Sequence, residues 1–177
     1  MHSQKKTLLW INLLGGIAVL GSYAWGLTTH PGSGNALWGG TPQWLRAVST
    51  ANMFLAALGY LTCTVFLFFL DLETVQIKVQ AGFKAFNVLY AAILVPSALW
   101  MPLTFAYIAH PSGLLWLADR LLLFIVGLAA LGMLSALLNI QPRRPAWFFW
   151  LAIAGGIFLV FQAAVLDALI WTNYFLV

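Results

Sequence analysis

Five apolar stretches, each long enough to cross a lipid bilayer, occupy most of this chain of 177 residues. They cover residues 8–27, 48–70, 85–109, 114–140 and 147–177. A helix needs about 20 mostly apolar residues to cross roughly 30 Å of hydrocarbon, and each stretch meets that length with few charges. Hydrophobic residues make up 63% of the chain and charged residues 7%, a composition outside that of soluble domains. The sequence therefore predicts one all-α domain over residues 1–177, an integral membrane bundle of five transmembrane helices.

The positions of the basic residues predict the orientation of this bundle. The N-terminus, the second loop and the fourth loop contain Lys5, Lys6, Lys78, Lys84, Arg143 and Arg144. The first loop contains only Arg46, and the third loop and the C-terminus contain no lysine or arginine. Because basic residues favour the cytoplasmic side, we expect the N-terminus in the cytoplasm and the C-terminus outside, in a multi-pass protein of the bacterial inner membrane. The net charge of +4 thus reflects topology and does not indicate a nucleic-acid partner.

Three charged residues inside the apolar stretches are the strongest indication of a functional region. Asp119 and Arg120 lie about two turns into the fourth stretch, counted from its outer end. Asp167 lies about 20 residues into the fifth stretch, which places it at a similar depth after a rise of roughly 30 Å. Since an unpaired charge in the membrane is costly, we expect a salt bridge between Arg120 and Asp167. That pair would either hold the bundle together or form the polar floor or gate of a cavity that opens outward; alternatively, the charged side chains extend to water.

Further polar and aromatic groups reach the same depth. Asn52 lies one turn into the second stretch from its outer end, and Gln162 lies deeper on the fifth. On the third, Pro96 and Pro102 flank Trp100, and each proline removes a backbone donor and leaves a carbonyl free. Apolar walls with a few convergent polar groups are typical of small-molecule sites. The candidate ligand-binding residues are therefore Trp44, Asn52, Trp100, Arg120 and Asp167, with the long first loop as a lid.

Absent motifs exclude several other kinds of site. The apolar stretches contain no histidine for haem ligation and no lysine in mid-span. Phosphate-loop, nucleophile-elbow and zinc motifs are missing, and His30 and His110 would need further ligands to bind a metal, so no metal site is predicted. Acid–base catalysis by Asp119 and Asp167 stays open, although the adjacent Arg120 favours ion pairing over an enzyme.

Three segments resemble one known family of small membrane proteins. They are Thr41-Pro42-Gln43-Trp44 before the second stretch, Ser97-Ala98-Leu99-Trp100 in the third, and Ala163-Ala164-Val165-Leu166 followed by Trp171 in the fifth. Together with five spans and nine tryptophans, they resemble the tryptophan-rich sensory protein / translocator protein family. Ser97 stands where that family has asparagine. The resemblance implies a five-helix bundle that binds a tetrapyrrole, a sterol or a related apolar ligand in a pocket beneath its first loop.

Three functions are consistent with these observations. The first is a membrane receptor or carrier that binds an apolar small molecule in a cavity of the outer leaflet. The second is a structural or assembly subunit, whose intramembrane charges would face a partner subunit or a second copy of the chain. The third is a small transporter, which is disfavoured because the inner half has few polar groups besides Asn12, Tyr60 and Tyr90.

The orientation can be tested with reporter fusions. Alkaline phosphatase joined to the C-terminus should be active in intact bacteria, because the enzyme matures only outside the cytoplasm. The same enzyme fused after Lys78 should be inactive, since the second loop is expected inside. An inactive C-terminal fusion would contradict both the number of spans and the shared depth of the three charges.

Overall fold

The computed structural model describes residues 2–78 and 81–175, and these form a bundle of helices. Five helices in these ranges are long and apolar enough to cross a membrane. They are α1 (Ser3–Thr29), α2 (Gln43–Phe69), α3 (Lys84–Ala109), α4 (Gly113–Leu138) and a fifth span (Ala146–Tyr174). The predicted helical bundle is confirmed, with limits that differ by a few residues, and residues 176–177 of the fifth predicted stretch lie outside the described part.

The fifth span changes its helical form along its length. It begins as α5 (Ala146–Val160), continues as a π-helix (Phe161–Trp171) and ends in one α-turn, α6 (Thr172–Tyr174). In a π-helix each hydrogen bond joins residues five apart, and such segments are rare and usually short. The wider turn alters which side chains share a face, and this matters at the site described below.

One end of the bundle, here called the basic end, carries the N-terminus and the second and fourth loops. A short antiparallel ladder joins these loops, with β1 (Gln76–Ile77) paired to β2 (Ile140–Gln141). The Lys5 ammonium donates to the carbonyl oxygens of Phe68, at 2.8 Å, and Leu70, and so satisfies the last turn of α2. The sequence alone does not predict the ladder, because each strand is only two residues long.

The opposite end, here called the cavity end, carries the first and third loops and the C-terminal turn. The first loop contains a short 3₁₀-helix (Ala36–Trp38) and contacts the end of the fifth span. The Gly40 amide donates to the Tyr174 carbonyl at 2.9 Å, and the Trp171 indole N–H donates to the Leu37 carbonyl at 2.9 Å. These two bonds close the loop over the bundle.

The helices differ in how closely they pack. α3 packs against both α1 and α4, while the fifth span packs against α4 and α2. α1 packs mainly on α3 and is largely exposed on its other sides, with Leu8 and Gly26 as the residues it buries among those described. A hydrogen bond of 2.6 Å from the Tyr60 hydroxyl to the Asn12 side chain joins α1 to α2 in the basic half.

The tightest helix contact is between α2 and α5, at Gly59 and Gly155. A Cβ added to Gly59 would lie 2.7 Å from the Gly155 Cα, closer than non-bonded carbon atoms approach. The two helices run antiparallel here, and the Cys63 thiol donates to the Ala152 carbonyl at 3.2 Å, one turn toward the basic end. Small residues permit such close approach of helix backbones.

The basic half has a filled interior. Phe66, Phe86, Tyr90, Met133 and Phe149 are fully buried there. The Tyr90 hydroxyl lies 2.9 Å from the Thr64 hydroxyl, so the polar end of this buried aromatic is satisfied. This half is densely packed, and the cavity described below lies in the other half of the bundle.

The helix contact at Gly59 generates a stability prediction. Gly59→Ala should destabilise the protein by about 1–3 kcal/mol, because the added methyl meets the α5 backbone, which cannot rotate away. Gly16→Ala on α1 is the matched control, since its added methyl meets no atom within 4 Å and alanine favours helix. Thermal unfolding of both variants in detergent measures the difference. Equal melting temperatures would contradict the close contact.

Candidate functional site

A cavity of about 440 Å³ occupies the cavity end of the bundle. All five spans and the first loop contribute to its wall. Pro96, Ser97 and Trp100 come from α3, where the two prolines leave the helix continuous but without two backbone donors. Gly34, Leu37 and Trp38 of the first loop complete the wall. Most of the lining is apolar, and the volume lies within the roughly 300–1,000 Å³ of small-molecule sites.

Aromatic rings from three spans form much of this wall. The Trp100 ring on α3 packs edge-on against Trp171 of the fifth span, with ring centroids 5.7 Å apart. Tyr23 of α1 lies on another side of Trp100, at a centroid distance of 5.9 Å. Such packing restrains the large side chains and presents flat apolar faces to the cavity.

One chain of polar side chains crosses the cavity end from α2 to the fifth span. Asn52 donates to the Phe158 carbonyl at 3.1 Å and to the Gln162 side-chain oxygen at 3.0 Å. The Gln162 amide nitrogen then donates to Asp167 Oδ1 at 2.8 Å and lies 3.4 Å from the Ser49 hydroxyl. Because Asn52 occupies the Gln162 oxygen, the Gln162 NH₂ group is turned toward Asp167. Ser49, Gln162 and Asp167 all line the cavity.

The π-helix brings Gln162 and Asp167 together. In an α-helix, residues five apart point about 140° away from each other, because each residue turns the chain by about 100°. The wider π-turn nearly aligns them, and both lie within the π-helix. Their contact is therefore a consequence of the local backbone, and π-segments are frequent at functional sites.

Asp119 lies behind this wall in a different environment. It is fully buried and accepts a hydrogen bond of 3.1 Å from the Thr104 hydroxyl. Within the described chain, its second oxygen and the indole N–H of Trp100 are both buried without a partner. Asp119 does not line the cavity, so Asp167 supplies the carboxyl group there.

The predicted salt bridge between Arg120 and Asp167 is absent from the described residues, and this expectation was wrong. Asp167 faces the cavity and bonds to Gln162. Arg120 is exposed, and its guanidinium carbon lies 5.9 Å from the centre of the Trp116 ring, one turn earlier on α4. The reason is helical geometry, because Asp119 and Arg120 are adjacent and point about 100° apart. When Asp119 faces inward, Arg120 must face outward.

The five candidate residues fall into three groups. Trp100 and Asp167 line the cavity. Asn52 is buried and lies one hydrogen bond behind the wall, on Gln162. Trp44 is 67% exposed on the outside of α2, and neither it nor the exposed Arg120 is part of the lining.

Several lining residues carried no clear functional signal in the sequence. Trp38 lies near the end of a span, where tryptophan is common at membrane interfaces, so its position indicates no site. Trp171 also lies near a span end and stood out only in the segment that resembles a known family. Tyr23 is on a helix with little periodicity in its hydrophobic residues. One signal was present, since Trp171 follows Asp167 by four residues, one helical turn, and so shares its face.

The cavity opens sideways between α1 and α2. Leu27 of α1 and Met53 of α2 both line it, yet they are 51% and 41% exposed. α1 and α2 make little direct backbone contact, and the hydrogen bond between Tyr60 and Asn12 lies in the other half of the bundle. The cavity therefore meets the apolar outer surface of the bundle through this gap.

Similarity to known proteins does not identify the function of this site. No family model, curated protein or solved structure matches the chain. The function of the protein is therefore inferred from the cavity, its polar chain and its sideways opening.

The polar chain at Gln162 generates a second stability prediction. Gln162→Ala should cost about 1–3 kcal/mol, because it leaves the buried Asn52 amide without its side-chain acceptor and Asp167 without its donor. Thr62→Ala is the control, since Thr62 bonds only within its own helix. In a double-mutant cycle, Asn52→Ala should cost less in the Gln162→Ala background than alone. Strictly additive unfolding free energies would show that the two side chains act independently.

Proposed function

We propose that this protein crosses a membrane five times, with the N-terminus in the cytoplasm and the C-terminus outside, in the bacterial inner membrane. Five helices of sufficient length and apolarity support the crossing. The basic loops support the orientation, because Lys78 and Arg143 flank the β1–β2 ladder at the same end of the bundle as Lys5. In this orientation the cavity lies in the outer half of the membrane.

We further propose that the protein is a receptor or carrier for an apolar small molecule. The observation that carries this proposal is the 440 Å³ cavity, whose apolar and aromatic wall holds one group of convergent polar side chains. Trp100 offers a face for stacking, and Asp167 with Gln162 offers a fixed polar anchor. This combination of a large apolar wall and few oriented polar groups is the common design of ligand sites.

The ligand would enter from the lipid. The opening between α1 and α2 has the apolar side chains Leu27 and Met53 at its edges, so a lipid-soluble molecule can enter without crossing water. The first loop covers the cavity end, where hydrogen bonds to Trp171 and Tyr174 hold it in place. α1 packs mainly on α3 and little on α2, so widening the opening would break few contacts between α1 and α2.

The resemblance to the tryptophan-rich sensory protein / translocator protein family supplies the first probes, a tetrapyrrole and a sterol. The wall position of Trp100 and the first loop above the cavity fit a ligand held beneath that loop. Asn52 would act indirectly, by orienting Gln162.

An assembly subunit is the second candidate function, and one observation favours it. Arg120 is exposed on α4 within a span, where a charge in lipid is costly. A partner subunit or a second copy of the chain could supply its counter-charge. A transporter has less support, because Asn12, Tyr60 and Tyr90 in the basic half bond to neighbouring side chains and so serve packing.

Ligand binding can be tested by tryptophan fluorescence. Protoporphyrin IX or cholesterol should quench the purified protein, and Trp100→Ala should weaken binding about tenfold or more, because a stacked aromatic wall is lost. Trp147→Ala is the matched control, since Trp147 is exposed at the basic end. Trp100→Ala should also lower the melting temperature, because the ring packs against Trp171 and Tyr23, so binding is compared at a temperature where both variants are folded.

The opposite results are equally informative. If Trp147→Ala weakens binding as much as Trp100→Ala, the ligand does not occupy the cavity. If neither probe nor any other apolar ligand quenches or thermally stabilises the protein, the receptor proposal fails. The assembly-subunit proposal would then take its place.

A further inference from the structure

The cavity presents an acceptor without a positively charged partner. Asp167 Oδ1 accepts from Gln162, whereas Oδ2 has no protein donor among the described residues. Oδ2 is also not among the fully enclosed polar atoms that lack a partner, so it is open to the cavity. A carboxylate in apolar surroundings is costly unless a cation or several donors meet it.

No basic side chain is among the described residues that line the cavity. Arg46, in the first turn of α2, donates instead to the carbonyl oxygens of Thr41 at 2.7 Å and Gly39 at 3.2 Å. Arg120 lies outside the wall, beside Trp116. The described wall therefore supplies no positive charge to Asp167, and a cationic ligand would supply one.

The rings around the carboxyl group suit a cation as well. Trp100 and Trp171 meet edge to face, and Tyr23 adds a third ring beside Trp100. Faces of tryptophan and tyrosine attract ammonium groups, most strongly where water is excluded. A carboxyl group inside a cluster of aromatic rings is thus complementary to an ammonium group that carries an apolar body.

The Gln162 side chain keeps the carboxyl group in place. Its oxygen is occupied by Asn52 and its NH₂ group by Asp167, so rotation of the amide would break both bonds. The polar end of the cavity therefore presents an acceptor, Asp167 Oδ2, in a fixed position. This end favours a ligand that places a strong donor beside Asp167, and it disfavours a negative charge in that position.

We propose that the ligand is a hydrophobic amine, whose protonated nitrogen pairs with Asp167 while its apolar body contacts Trp100 and Trp171. This inference rests on the proposed function and names the chemical class of the ligand. The sideways opening fits such an amphiphile, since its apolar body can pass between Leu27 and Met53.

Three probes with the same apolar body test the proposal: 1-adamantanamine, 1-adamantanol and 1-adamantanecarboxylate. Isothermal titration of the full-length protein in detergent at neutral pH gives the three dissociation constants. The amine should bind about tenfold or more tightly than the alcohol, because a charge-assisted hydrogen bond replaces a neutral one. The carboxylate should bind most weakly, since it meets the like charge of Asp167.

Variants of the carboxyl group separate its charge from its shape. Asp167→Asn keeps the size of the side chain, and it should remove the preference for the amine while the alcohol still binds. Asp71→Asn, in an exposed loop at the basic end, is the matched control and should keep the preference. A melting curve for each variant shows that it is folded, and the comparison of three probes on the unaltered protein needs no variant.

Each contrary outcome has a distinct meaning. If the alcohol binds as tightly as the amine, or the carboxylate binds most tightly, the amine proposal is overturned while the receptor function stands. The same holds if a sterol or tetrapyrrole binds and the amine does not. If no apolar probe of any charge binds, both proposals fail together.

Discussion

The close approach of α2 and α5 at Gly59 and Gly155 sets the geometry of the cavity end. Because the helices are antiparallel there, seven residues, or about two turns, along each helix lead from this contact to Asn52 and Gln162. A larger side chain at either glycine would separate the backbones and lengthen the bond between those amides. Close packing in the middle of the bundle thus determines the position of polar groups about 10 Å away.

The change from α- to π-helix in the fifth span brings these positioned polar groups to the wall of the cavity. It places Asp167 on the same side as Gln162, so the polar chain that begins at Asn52 ends on a cavity wall. Asp119 shows the alternative, since it is fully buried against Thr104 and outside the cavity. Two aspartates at similar depth thus have different surroundings, and only one is accessible to a ligand.

The sequence predicted part of the candidate site, for identifiable reasons. Trp100 and Asp167 stood out because an aromatic between prolines and a charge in an apolar stretch are rare, and both line the cavity. The predicted pairing of Arg120 with Asp167 was wrong, because depth along a helix does not determine which way a side chain faces around the helix axis. Similar depth is necessary for contact, but side chains must also face each other.

The sequence by itself determined the five helices and the clustering of basic residues at one end. Composition suffices for these features, because a long apolar stretch can satisfy its backbone polar groups in apolar surroundings only as a helix. The tertiary structure decided the order of packing, the π-helical segment and the sideways opening at Leu27 and Met53. These features depend on which helix faces meet, and that is set by contacts such as Gly59 with Gly155, between residues far apart in the chain.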